Sequence, residues 1–287
     1  MAPPNPSSAR RTAPAVLLGV LIALGGVGCS RQPSSAAAAA PIRDASAAQT
    51  AATTDSAKGP GYQYTIRYPQ LPSKWAPLNH AIRAFAAGAK HDIVQSANAA
   101  NDKNEPPHTL DLDFNIARRT TDFVSVLASG SAYTGGVHGR PIQASFVLYL
   151  GDNTLVRLAD LFSDPDAALH ALSAECRRQR EGRFTTRLRN DSAAMTGKQL
   201  ETKLSAMRRR VEKGTQPVAD NFDVFLVDGL DARAIGLTLV FPPYQVASYA
   251  EGPQQVEVPA EVFYDLLKPR YRDAFAIDAP RRGAGRG

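Results

Sequence analysis

The stretch TLDLDFNIARRTTDFVSVLASGSAYTGGVHGRPIQASFVLYL, residues 109–150, decides the fold. Leu110, Leu112, Phe114 and Ile116 alternate with Asp111, Asp113 and Asn115, the period-two pattern of a strand with one buried face. Residues 118–122 make a turn, and 123–128 read as the returning strand. A third strand, 142–150, ends at Gly151-Asp152-Asn153. Three neighbouring strands with short connections imply an antiparallel meander. Between the second and third lies the tract at 131–141, which gathers Tyr133, Gly135, Gly136, His138 and Gly139 into seven residues. Glycine reaches backbone conformations closed to other residues and allows close approach of another chain. Read alone, the tract could be a binding edge, an active-site turn or a tight corner.

Working outward, Tyr62, Tyr64, Ile66 and Tyr68 alternate, so 62–68 is predicted as a strand ended by Pro69 and Pro72. Trp75, Leu78, Ile82, Phe85, Ala89 and Ile93 recur at steps of three and four, which predicts an amphipathic helix over 74–98. Residues 101–108, with Pro106 and Pro107, read as a linker. On the other side, Asp164-Pro165 suits a helix start, with Asp as cap and Pro at the first position, and the helix is expected to reach about Arg180. A second helix is predicted over 196–213. Strands are predicted at 222–227 and 235–241 around a turn at Asp228-Gly229, then 246–249 and 254–258, and a helix at 259–268 closes the domain. Helices and strands are segregated, so the expected class is α+β, a mainly antiparallel sheet with packed helices. A small N-terminal αβ subdomain, 60–108, would precede a larger α+β subdomain, 109–276.

The two ends point to the cell envelope. Arg10 and Arg11 precede an apolar run over 13–27 of about 15 residues, shorter than the roughly 20 that span a bilayer. Residues 1–28 therefore read as an export signal. Gly26-Val27-Gly28-Cys29 resembles a lipobox, with Gly26 where Leu is usual, and marks Cys29 as a lipid-attachment site. Residues 29–59, rich in Ala, Ser and Thr, read as a disordered tether, and 277–287 as a basic disordered tail. Ser30 after the cysteine suggests the outer membrane, with the domain facing the periplasm. Acylation of Cys29 would leave Cys176 alone, so no disulfide framework is expected. Cys176 reads as a small buried helix residue.

The net charge of +6 is unevenly spread: residues 177–213 hold twelve basic and four acidic residues. The high pI therefore reflects one basic segment, not a nucleic-acid-binding chain. Such a segment is either a solvated helix face or a surface drawn to anionic headgroups or wall polymers. The acidic remainder could instead attract a basic protein such as a lysozyme, mainly by raising the association rate. His80, His91, His108, His138 and His170 form no close ligand pair. His80 and His91 would lie about 16 Å apart along a helix, too far for one ion with ligand bonds near 2 Å. No phosphate loop, dinucleotide fingerprint or G-x-S-x-G elbow is present, so neither a metal nor a cofactor is expected. His138 could be a general base, a loop residue bonded to its own backbone, or a partner contact. A base would need a reacting group within reach and an orienting carboxylate.

Several segments together resemble the extracytoplasmic RsiV/PdaC-like domains. They are Tyr68-Pro69-Gln70-Leu71, the helix carrying Asn79, the Tyr133–Gly139 loop (YTGGVHG), Leu158-Ala159-Asp160-Leu161-Phe162, Phe222, Asp228-Gly229-Leu230, the run FPPYQVASYAEG at 241–252, and Val256-Glu257-Val258-Pro259. The family loop reads close to YTGGAH and its later run close to F-x-x-Y-x-I-A-x-Y-A-x-G. The resemblance spans about 60–270 and implies two subdomains; lysozyme recognition belongs to one branch of the family. The expected function is that of a non-enzymatic envelope lipoprotein, monomeric, binding peptidoglycan or a lysozyme-like protein. Its binding residues would be Tyr133, Gly135, Gly136, His138, Tyr244, Tyr249 and Gly252. The alternative is a peptidoglycan-acting enzyme using His138 and Tyr133.

Overall fold

The meander occupies the middle of a six-stranded sheet whose strands lie side by side in chain order. They are β1 (Thr53–Gly59), β2 (Tyr62–Tyr68), β3 (His108–Arg119), β4 (Phe123–Tyr133), β5 (Arg140–Tyr149) and β6 (Thr154–Val156). The computed structural model describes residues 53–100, 106–191, 196–230 and 233–277. The expected signal segment, the lipid-attachment Cys29, the tether up to residue 52 and the tail from 278 lie outside the described residues. Among the described residues no helix is long and apolar enough to cross a membrane.

Neighbouring strands are antiparallel except β2 and β3, which run parallel with Ile66 opposite Leu112. The helix α1 (Ala76–Ala99) carries the chain between them, so this part is a βαβ crossover and not the segregated arrangement expected from sequence. Residues 53–59, expected as the end of the tether, instead pair along their whole length with β2. Their small polar side chains carry no apolar pattern. What holds β1 is the backbone ladder, a turn through Gly61 at φ +74°, and the ion pair from Lys90 Nζ to Asp55 Oδ2 at 2.7 Å. The subdomain boundary expected at 108–109 falls at the start of β3, inside this continuous sheet.

Both faces of the sheet are covered. On one, Leu110, Leu112, Phe114, Val124, Val126 and Leu148 meet Leu78, Ile82, Ala86 and Ile93 of α1 in a single cluster. The register places Val124 beside Leu148 and Val126 beside Phe146, so the pleat sends these side chains to the same side. Tyr68 stacks on Phe114 at 5.4 Å and Phe85 meets Phe114 edge-on at 6.2 Å. On the opposite face Phe123 and Val147 join a second cluster.

That second cluster is built on a smaller sheet of β7 (Phe225–Leu230), β8 (Arg233–Phe241) and β9 (Gln254–Pro259). Asp228 and Gly229, where a turn was expected, are both paired, opposite Gly236 and Ala234; the register shifts between them with Ile235 of β8 as the extra residue, and pairing continues to Leu230 and Arg233. The outer edge of β7 is satisfied by the large sheet: the Phe225 N–H donates to Ser145 Oγ at 2.9 Å and the Val227 N–H to the fully buried Ser125 Oγ at 3.0 Å. Unpaired edge groups would be costly there. Arg118 Nε also bonds Asp228 Oδ1 at 2.9 Å, and Thr238 Oγ1 donates to Asp228 Oδ2 at 2.5 Å.

One helix packs on the smaller sheet and a second packs on the first. The first, α2 (Pro165–Asp191), starts as expected, with the Ala167 N–H donating to Asp164 Oδ1 at 3.0 Å, but runs about three turns beyond Arg180. The second, α3 (Gly197–Gly214), opens on a reciprocal cap between Thr196 and Gln199. Residues 259–268, expected as a helix, form two short 3-10 turns followed by α4 (Pro269–Arg272). Likewise 246–249, expected as a strand, is irregular and leads into a 3-10 turn at Tyr249–Glu251.

Candidate functional site

The glycine loop and the 241–252 run, about a hundred residues apart in sequence, meet at the surface. The His138 ring stacks on Tyr249 at 4.7 Å between centroids and 21° between planes. Tyr249 in turn packs against Tyr244 at 5.2 Å and 31°. The result is a three-ring ladder, His138–Tyr249–Tyr244. It is open to solvent: Tyr244 is 57% exposed, Tyr249 38%, and the neighbouring loop residue Val137 100%.

Each ring is aimed by its local backbone. Tyr133, at the end of β4, donates its hydroxyl to the Gly136 carbonyl at 3.1 Å and so ties down the loop. Gly135 and Gly136 sit at φ +99° and +91°, conformations a side chain would strain, and the chain turns there to bring His138 back. His138 Nδ1 lies 3.3 Å from the Gly139 carbonyl. A carbonyl only accepts, so any hydrogen bond here is donated by the ring. No carboxylate contacts His138 among the described residues.

Tyr244 is held at φ +75°, which costs a bulky L-residue about 1–2 kcal/mol. The following residue supplies the restraint. Gln245 Nε2 donates to the carbonyls of Gly214 at 2.8 Å and Asn221 at 2.9 Å. Gly214 approaches so closely that a Cβ placed there would lie 2.2 Å from the Gln245 carbonyl oxygen. The end of α3 therefore sets the turn that displays Tyr244.

The other end of the run is held by α2. Glu251 Oε1 accepts from the Ser248 N–H at 3.0 Å and hydroxyl at 2.8 Å, and Arg187 approaches Oε2 at 3.4 Å. Burial pushes this carboxyl up, but the Ser248 bonds and the charges of Arg180 and Arg187 outweigh it and hold the group below its ordinary value. Arg180, only 8% exposed, bonds Gln254 Oε1 at 2.6 Å, and Arg183 bonds the Gln255 carbonyl at 3.2 Å. Gly252, at φ +66°, then turns the chain into β9.

Of the seven residues expected to bind, His138, Tyr244 and Tyr249 thus share one surface. Tyr133, Gly135, Gly136 and Gly252 shape the backbone that presents it. Among the described residues no group of His, Cys, Asp and Glu could hold a metal ion. Cys176 is fully buried with its thiol pushed up to about 12, first by desolvation and then by Glu175.

Residues 159–261 match a protein family described as being of unknown function, DUF3298. The chain is homologous to that family over this segment, which includes α2, α3 and the Tyr244–Gly252 run. Among solved structures, it is similar to a DUF3298 family protein from Pseudomonas aeruginosa PAO1 at 15% identity. That match covers 76% of this chain and 93% of the other with a TM-score of 0.49. It is also similar to a DUF3298 family member from Bacteroides fragilis NCTC 9343 at 16% identity, covering 77% and 93%, with a TM-score of 0.48. No curated protein matches the chain.

The arginines that brace the run do not stand out in the sequence. Arg180, Arg183 and Arg187 recur at steps of three and four, the spacing of one helix face. That signal is visible only once α2 is continued past Arg180.

Proposed function

We propose that this chain is a non-enzymatic binding protein of the bacterial envelope, anchored through a lipid on Cys29 and facing the periplasm from the outer membrane. The observation that carries the reading is the exposed His138–Tyr249–Tyr244 ladder, assembled from two distant segments and braced by half-buried polar contacts. Exposed aromatic rings on a rigid frame suit recognition, because little side-chain freedom is lost on contact. The leader-like N-terminus, the resemblance to RsiV/PdaC-like domains and the DUF3298 match support the setting. The domain would act as a monomer on a wall component such as peptidoglycan. A lysozyme-like protein is the less favoured partner, since Arg209, Arg210 and Lys213 beside Tyr244 oppose a basic surface.

Wild-type chain and a His138→Ala/Tyr249→Ala variant, each immobilised and exposed to solubilised envelope extract, test this. The expected result is retention of envelope material by the wild type and at least a tenfold loss in the variant. Equal retention by both would refute the ladder as the binding surface. The enzyme reading, with His138 and Tyr133 as acid–base groups, has less support because Tyr133 is engaged by Gly136 and His138 by Gly139 and Tyr249.

A further inference from the structure

Beside the ladder, between the last turn of α3 and the turn at 242–245, lies a shallow cleft of about 440 Å³. Arg209, Arg210, Lys213, Asn221, Tyr244 and Gln245 line it. Three cations in one cleft repel each other unless something negative sits among them. Other arginines of the two helices have such partners: Arg178 pairs with Glu175 at 2.6 Å, Arg187 with Glu251 at 3.4 Å and Arg208 with Glu181 at 3.8 Å. The side chains of Arg209, Arg210 and Lys213 have no ion-pair or hydrogen-bond partner among the described residues. Position explains part of this for Lys213, because a cation in the last turn of a helix complements its dipole. It does not explain why the backbone of Tyr244 is held at φ +75° so that its ring forms both a wall of the cleft and the end of the ladder.

We propose that this cleft takes the acidic groups of an anionic glycan with a sugar ring lying on the outer face of Tyr244; the inference rests on the ladder being the binding surface. The chemistry divides along the site. Guanidinium groups offer paired N–H donors to a carboxylate or phosphate, whereas the amides of Asn221 and Gln245 are committed to backbone carbonyls and only frame the cleft. The outer face of Tyr244, the end of the ladder, offers a flat apolar platform to the C–H face of a pyranose ring. A basic protein would meet like charge here, which disfavours it. An acidic peptide satisfies the cations but leaves the Tyr244 platform without a sugar ring.

Titration calorimetry with the full-length chain tests the assignment, using three probes. Oligogalacturonate carries rings and carboxylates, its methyl ester carries the same rings without charge, and polyglutamate carries charge without rings. Oligogalacturonate is expected to bind, and the ester and polyglutamate at least tenfold more weakly. Arg209→Glu/Arg210→Glu and, separately, Tyr244→Ala should each weaken oligogalacturonate at least tenfold. All these side chains are exposed, so melting temperatures should match the wild type and confirm folding. Absence of oligogalacturonate binding, equal binding of polyglutamate, or unchanged affinity in Arg209→Glu/Arg210→Glu overturns the assignment. The envelope assay separates the two readings. Capture lost in His138→Ala/Tyr249→Ala but kept in Arg209→Glu/Arg210→Glu sinks the cleft and leaves the ladder standing, whereas capture kept in the ladder variant sinks the ladder itself.

Discussion

Gly214→Ala should destabilise the protein and disturb the ladder end at once. A Cβ at this position would lie 2.2 Å from the Gln245 carbonyl oxygen, 2.8 Å from its carbonyl carbon and 3.0 Å from Val246 Cγ1. Two of those atoms are backbone, so no rotamer change relieves the clash; the turn at 242–245 must move. Overpacking of this kind typically costs about 1–3 kcal/mol. Replacing Gly by Ala in a helix returns at most about 1 kcal/mol, and less at the last helical residue. The balance is a loss of about 1–2 kcal/mol, or roughly 2–8 °C in melting temperature for a domain of this size. The displaced turn also carries Tyr244, so envelope capture should fall with stability. Gly88, in the middle of α1, is the control, because a Cβ there would meet nothing within 4 Å. Gly88→Ala should gain up to about 1 kcal/mol from helix propensity alone. Thermal unfolding followed by circular dichroism measures both. A Gly214→Ala protein melting at or above the wild type would refute the claim that this contact fixes the turn.

Two further expectations concern titratable groups. Glu251 has its folded-state value lowered, so its charge contributes stability above the unfolded value of about 4.3 and loses it as pH falls through the folded value. Glu251→Gln keeps an acceptor for Ser248 but no charge; it should therefore melt below wild type at neutral pH, with the gap closing in acid, and a gap independent of pH would contradict this. Cys176, buried and pushed up to about 12, should react with a thiol reagent only after denaturant is added. Labelling of native protein at the rate of a free thiol would show the site to be open.

Much of the fold is legible because the signals are local. The alternation at 110–116, the spacing of Leu78, Ile82 and Ile93, and the cap at Asp164 each specify an element through its own residues. The misses share a cause: they depend on partners remote in sequence. β1 has no apolar pattern and exists through its pairing with β2. The Asp228-Gly229 pair looks like a turn but is absorbed into the ladder opposite a bulge at Ile235, and Asp228 is claimed by Arg118 and Thr238. Pro259 to Lys268 has helix-like composition but breaks into short turns, with Phe263 and Leu267 drawn into the core. At the site, the tyrosines, the glycines and His138 could be picked out by residue type, whereas the stacking of His138 on Tyr249 required the fold.

The strand β4 carries Phe123 and Ser125 on one side and Val124 and Val126 on the other, all of them fully buried. It is a party wall between two cores. Neither half can be removed without baring an apolar face to water, and the serine hydroxyls that finish the edge of β7 belong to the other half's sheet. The two cores should therefore melt in a single cooperative transition. Damage to the α1 side, far from the ladder, would then lower the population of binding-competent molecules as surely as damage beside it.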